Sequence, residues 1–150
     1  MKPEIAIIAD DLTGAGDSAV QFVRCGWETQ LYVGGAQAAF SQPGIHADVV
    51  SINSNSRGLT PEAAAHAVAS EIRTLKAYGV RYLFKKVDST LRGPFLAEIE
   101  AVRQNWHDNA VAVVCPAFPA TGRTVEAGVL RVNGVPVTET SAGSDPVTPV

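Results

Sequence analysis

Charge is scarce in this 150-residue chain. Asp, Glu, Lys and Arg make up 18% of it, and 12 basic residues against 15 acidic ones give a formal net charge of −3. Its only adjacent basic residues are Lys85 and Lys86, so it offers no electrostatic footprint for a phosphate backbone or an anionic membrane surface. Nucleic acid and membrane are therefore not expected partners. Cysteine is rarer still: Cys25 and Cys115 lie far apart, with no CxxC pair and no histidine at ligand spacing, which argues against a disulfide scaffold and a zinc site. No metal-ligand set is visible. Long hydrophobic runs are also missing. The stretch Ile5–Ala9 is too short for the apolar core of a signal peptide and runs directly into Asp10 and Asp11, so it reads as a strand. A reducing, cytoplasmic setting is the expectation. What the chain does have is apolar content, 46%, and enough length to bury roughly 68–70% of its unfolded surface in one core.

Apolar runs alternate with helical periodicity. Residues 4–9, 29–33, 47–53, 82–87 and 111–115 read as strands. Residues 14–25 read as a helix. Thr60 and Pro61 open another, with Ala64, Val68, Ile72, Leu75 and Tyr78 at three- and four-residue steps and Gly79 as its stop. A third starts at Gly93-Pro94 and is expected to bury Phe95, Ile99, Val102 and Trp106. This alternation predicts an α/β fold: an open, mostly parallel, Rossmann-like sheet of about five strands with helices on both faces. After Cys115 the pattern changes. Asn133-Gly134 between residues 129–132 and 135–138 predicts a C-terminal β-hairpin, because both turn positions require positive φ. Residues 141–150 show neither period and read as a tail or the start of a linker, leaving 1–140 as the domain.

Four polar segments follow strands and so converge on the carboxyl edge of the sheet, where open α/β folds bind ligands. The first, Asp10–Ser18, has three readings. Gly14-x-Gly16-x-x-Ala19 matches a dinucleotide fingerprint, although Asp10 and Asp11 would repel a pyrophosphate. Thr13–Asp17 is similar in local physics to the anion hole and base of ribokinase-type kinases. The acids could instead accept hydrogen bonds from sugar hydroxyls while the helix-start amides face an anion. For Asp17, helix-dipole stabilisation suffices, and Thr13 would serve as the cap. The second segment, Lys85–Gly93, offers Asp88, Ser89, Thr90 and the guanidinium fork of Arg92. Strand alternation puts Lys85 and Lys86 on opposite faces, and a solvated patch accounts for Lys85. The third, Asn53–Arg57, adds amides, hydroxyls and a second guanidinium; the fourth, Pro116–Thr124, adds a rigid wall and Arg123 as a phosphate contact. Such a ring of mixed charge suits a small polyhydroxylated acid. His46, His66 and His107 fall outside these segments and read as surface residues.

Five ordered motifs cover almost the whole chain: IADDLTGAGD at 8–17, NSNSRGLTPEAA at 53–64, FKKVDSTLRGPFLAEIEA at 84–101, CPAFPATGRTVEAG at 115–128 and VNGVPVTET at 132–140. Together they resemble the N-terminal domain of the four-carbon acid sugar kinases. The resemblance implies phosphorylation of the terminal hydroxyl of a sugar acid such as threonate or erythronate, or a related keto acid, with ATP and Mg²⁺ as cofactors. It implies catalytic roles for Asp11 and Asp88, one carboxylate among Asp10, Asp11 and Asp88 orienting or deprotonating the hydroxyl. Substrate contacts are implied for Asp10, Thr13, Gly14, Arg57, Lys86, Ser89 and Arg92. The implied partners are the sugar acid and a C-terminal nucleotide-binding domain; a homo-oligomer is left open. Family chains continue for more than another such length, so this stretch alone is expected to bind without turning over, since phosphoryl transfer needs charge neutralisation around the γ-phosphoryl. A non-catalytic sugar-acid-binding module and a nucleotide-binding Rossmann-like domain are the alternative readings.

Overall fold

The run Ile5–Ala9 forms β1, and its neighbours on both sides are parallel: Ile5 aligns with Val49 of β3 (Val49–Asn53) and with Tyr82 of β4 (Tyr82–Lys86). Strand β2 (Thr29–Tyr32) extends the sheet beyond β3, giving the order β2-β3-β1-β4. The computed structural model describes residues 2–41 and 45–150. Because β1 and β3 are central, both of their faces are covered and their sequences are apolar without alternation. Ala6, Ile8, Val50 and Ile52 pack against α2 (Gly35–Ser41), α3 (Pro61–Ala77) and α4 (Phe95–Asn105) through Ala36, Ala39, Val68, Ile72, Leu75 and Trp106. Helix α1 (Leu12–Arg24) covers the opposite face, where the Ser51 hydroxyl donates to the Ala15 carbonyl at 2.9 Å.

The fold class is the one the sequence predicts, with three differences of detail. Residues 111–115 form no strand. Val111 and Val113 are 87% and 88% exposed, and β4 remains an edge strand with Tyr82 and Phe84 exposed on it. β-branched residues make a strand only where a neighbour supplies the ladder and a layer covers one face, and the described residues supply neither here. Helix α2 is absent from the sequence reading because seven residues are too few to show a period. Helix α4 is also turned: Glu98 and Ala101 are buried with Trp106, whereas Phe95, Ile99 and Val102 are only partly covered. Helix α3 follows expectation, with Thr60 Oγ1 accepting from Ala63 N at 3.3 Å and Ala64, Val68, Ile72 and Leu75 buried; Tyr78 instead stacks on Phe40, centroids 4.0 Å apart.

The hairpin is part of a three-stranded antiparallel sheet, β5 (Arg123–Glu126), β6 (Val129–Val132) and β7 (Val135–Pro136). Asn133 and Gly134 turn it with φ of 50° and 83°. Its small core of Leu130, Val137 and Ala142 closes over Leu91 of the β4–α4 loop, which ties this module to the ligand edge of the parallel sheet. Residues 141–150 join it through Ala142 and turn back on themselves: Val150 N donates to the Ala142 carbonyl at 3.2 Å, and Asp145 Oδ1 accepts from Val147 N and Thr148 N.

Candidate functional site at the strand ends

Strands β1, β3 and β4 are parallel and in register, so the residues that follow each of them emerge side by side. The turn after β3 bends across the end of β1: Ser54 N donates to the Ala9 carbonyl, and Ser56 N and Arg57 N both donate to the Asp10 carbonyl. That turn delivers Arg57 to the acids. Its Nε and Nη2 grip Asp10 at 2.9 and 3.0 Å, its Nη1 reaches Asp11 Oδ2 at 2.6 Å, and Nη2 stands 3.8 Å from Asp88 Oδ1. Asp88 is bound in turn by Arg92, through Nε at 2.8 Å and Nη2 at 3.3 Å, and by the Thr90 hydroxyl. Arg92 Nη1 then continues to Asp145 at 3.1 Å. The result is one continuous row of four carboxylates and two guanidiniums.

The row fixes protonation. Burial pushes the Asp88 carboxyl up, but the hydrogen bonds from Arg92 and Thr90 and the charges of Arg57 and Arg92 outweigh it and hold Asp88 well below the usual carboxylate range. Burial likewise works against the charge on Arg57, and Asp10, Asp11 and Asp88 overcome it. Asp88 is thus an anchor ionised at neutral pH and a weak base. Asp10 is 3% exposed at its side chain and is consumed by Arg57, while Asp11 is 27% exposed and keeps an open side. Asp11 also caps α1, its Oδ1 accepting from Gly14 N at 2.7 Å; Thr13, expected as the cap, is exposed and does not do this.

Two glycines make the row possible. A Cβ on Gly93, which sits at φ 82°, would lie 2.8 Å from the Arg57 carbonyl oxygen, and one on Gly14 would lie 2.8 Å from Asp11 Oδ1 and 3.2 Å from Lys86 Cγ. Leu91 holds φ 61° without being glycine, a strained conformation that its seat in the small core stabilises. Lys86 therefore lies over the start of α1, as strand alternation requires, with its ammonium donating to the Val87 carbonyl at 2.6 Å.

The family model for the sugar-binding N-terminal domain matches residues 5–150. The chain belongs to that family. It is 60% identical over 149 residues to a D-threonate kinase of Bordetella bronchiseptica, covering 99% of this chain and 37% of that protein. It is 38% identical over 146 residues to a D-erythronate kinase of Heliobacterium modesticaldum, covering 97% of this chain and 33% of that one. The chain thus spans about a third of the length of these curated relatives. Among solved structures it is similar to a Bordetella bronchiseptica protein described with bound citrate and as a domain-swapped dimer, with a TM-score of 0.96 and 60% identity over 99% of this chain and 37% of that one. A Haemophilus influenzae protein superposes with a TM-score of 0.80 at 27% identity, over 97% of this chain and 35% of that one.

In this sugar-binding domain the fold brings together Asp10, Asp11, Arg57, Asp88 and Arg92, with Gly14 and Lys86 alongside. Ser89 is half-buried next to the row, and it is Thr90 whose hydroxyl binds Asp88. Lys85 corrects the reading of a solvated patch. Its side chain is 7% exposed, its Nζ lies 2.8 Å from Oε2 of the 1%-exposed Glu98, and it donates to the Lys86 carbonyl at 2.9 Å. The other Glu98 oxygen accepts from Ser56, which pairs with Ser54 at 2.8 Å. This buried network ties α4 to the turn carrying Arg57. Its signal in the sequence was Glu98 one turn inside a helix otherwise read as apolar on that side.

The described residues do not by themselves fit a magnesium–nucleotide complex. Among the described residues no three Asp, Glu, His or Cys side chains are grouped to hold a metal ion, the acids of the row face guanidiniums, and the Gly14 amide that a phosphate would need is held by Asp11.

Proposed function

We propose that this domain binds the four-carbon sugar acid of an ATP-dependent kinase, with ATP and Mg²⁺ held mainly by a C-terminal nucleotide-binding domain. The observation that carries this reading is the row Asp11–Arg57–Asp88–Arg92: carboxylates fixed in place by guanidiniums are preorganised acceptors for vicinal hydroxyls and need no rearrangement when a polyol arrives. Asp11, the most open acid, accepts from the terminal hydroxyl and orients or deprotonates it. Asp10 and Asp88 act through Arg57 and Arg92, Lys86 supplies positive charge beside Gly14, and Thr13 and Ser89 offer hydroxyls at the rim. Phosphorylation of threonate or erythronate is the reaction this reading assigns to the whole enzyme, in line with what its relatives are named for.

A cytoplasmic setting suits the two exposed free cysteines, Cys25 and Cys115. No described helix is long and apolar enough to cross a membrane. A dimer is the oligomeric state we favour, since the relative with bound citrate is described as domain-swapped and the exposed run 111–115 here joins the two modules. Calorimetric titration of the chain with D-threonate, D-erythronate and ATP-Mg, each alone, tests the reading. Binding of one acid and not of ATP is the expected result, and binding of ATP alone would overturn it.

A further inference from the structure

The row leaves a charge problem that points elsewhere in the molecule. Each of the three nitrogens of Arg57 faces Asp10 or Asp11, and each of the three nitrogens of Arg92 faces Asp88 or Asp145. Neither guanidinium has charge to spare for the acid group of a ligand. Arg123 differs. Its Nη1 donates to the Thr121 carbonyl, it has no carboxylate partner among the described residues, and its Nε is buried without any hydrogen-bond partner. A guanidinium that meets no described carboxylate and whose Nε is buried without a partner keeps both charge and a donor for an arriving anion.

Arg123 lines a cleft of about 460 Å³ together with Thr90, Arg92, Ser141, Ser144 and Asp145. The cleft lies between the β4–α4 loop and the antiparallel module. Its floor adjoins the row through Arg92, and the hydroxyls of Ser141 and Ser144 line its far side. Asp145 makes no ion pair with Arg123: one of its oxygens holds Arg92, and the other accepts from Val147 N and Thr148 N.

We infer that the Arg123 cleft is an oxyanion subsite continuous with the sugar-acid site, taking either the ligand's carboxylate or a phosphoryl oxygen group. The inference builds on the proposed function by assigning the acid-reading residue that the row itself lacks.

The test titrates wild type, Arg123→Gln and Arg123→Lys with D-threonate, with threitol as the matching polyol without a carboxylate, and with inorganic phosphate. Melting curves confirm that the variants are folded. If the subsite reads the carboxylate, Arg123→Gln weakens threonate roughly 10- to 100-fold, leaves threitol unchanged, and Arg123→Lys recovers part of the loss. If it reads a phosphoryl group, Arg123→Gln loses phosphate and leaves threonate intact. Threonate and phosphate affinities that both match wild type in Arg123→Gln overturn the subsite while leaving the proposed function standing. Conversely, a wild type that binds phosphate through Arg123 but neither threonate nor erythronate keeps the subsite and overturns the proposed function. A wild type that binds none of these ligands overturns both.

Discussion

Arg57 and Arg123 border the same polar region but belong to differently built parts of the molecule. Arg57 leaves a parallel sheet whose central strands have Ile7, Ile8 and Ile52 fully buried, and it is neutralised by acids from neighbouring strand ends. Arg123 opens a three-stranded module whose core amounts to Leu130, Val137 and Ala142 against Leu91, and among the described residues no carboxylate meets it. The contrast separates two tasks. The α/β layer holds a self-compensated set of acceptors, and the smaller module presents a cation that no described carboxylate offsets.

Substitutions at five positions probe that contrast, in decreasing order of expected effect. Removing one partner of the buried Lys85–Glu98 pair should be the most damaging, because the other charge is left uncompensated: Glu98→Ala is expected to cost about 3–5 kcal/mol in urea unfolding, and Glu98→Gln, which can keep the Ser56 contact, less. Leu75→Ala, in the main core, should cost about 2–5 kcal/mol, with Leu130→Ala at the low end of that range because the module's core collapses more easily. Equal costs would erase the distinction between the two parts. Gly93→Ala, which forces a Cβ toward the Arg57 carbonyl at positive φ, should destabilise by more than about 1 kcal/mol and weaken sugar-acid binding at the same time, a pairing read by melting and calorimetry together. Thr60→Ala removes an exposed cap that bonds no side chain of the row and should cost about 0.5–2 kcal/mol with binding unchanged.

Acid should weaken the hold on Asp88. Asp88 titrates below its ordinary value in the folded chain, so its contribution to stability is full at neutral pH and is lost as pH falls from the ordinary carboxylate range through the folded value. Urea midpoints followed from pH 7 to pH 3 should drop more steeply for wild type than for Asp88→Asn; parallel curves would mean that the Arg57 and Arg92 contacts do not stabilise the fold.

Much of this was legible from residue order alone. Strand-ending Asp10-Asp11, Arg57 and Asp88 through Arg92 were bound to share an edge once the strands were parallel, and Asn133-Gly134 announced its own turn. What escaped depends on partners that periodicity does not encode. Lys85 looks solvated until Glu98 is seen rotated toward it, and 111–115 looks like a strand because β-branched residues carry no record of whether a ladder awaits them. Thr13 was a plausible cap by type, but the extended backbone of Asp11, at φ −141°, places that side chain over the first amides instead. The saturation of Arg57 and Arg92 was likewise invisible, because a sequence shows which guanidiniums are present and not which are already taken.

The most direct test of the account is an amide chemical-shift map of the ¹⁵N-labelled chain as D-threonate is added. Shifts concentrated at residues 10–16, 54–57 and 87–92, extending to 123 and 141–145, are the predicted result. Shifts that leave those strand-end segments unmoved while the acid binds elsewhere would contradict the claim that the row of carboxylates and guanidiniums is the sugar-acid site.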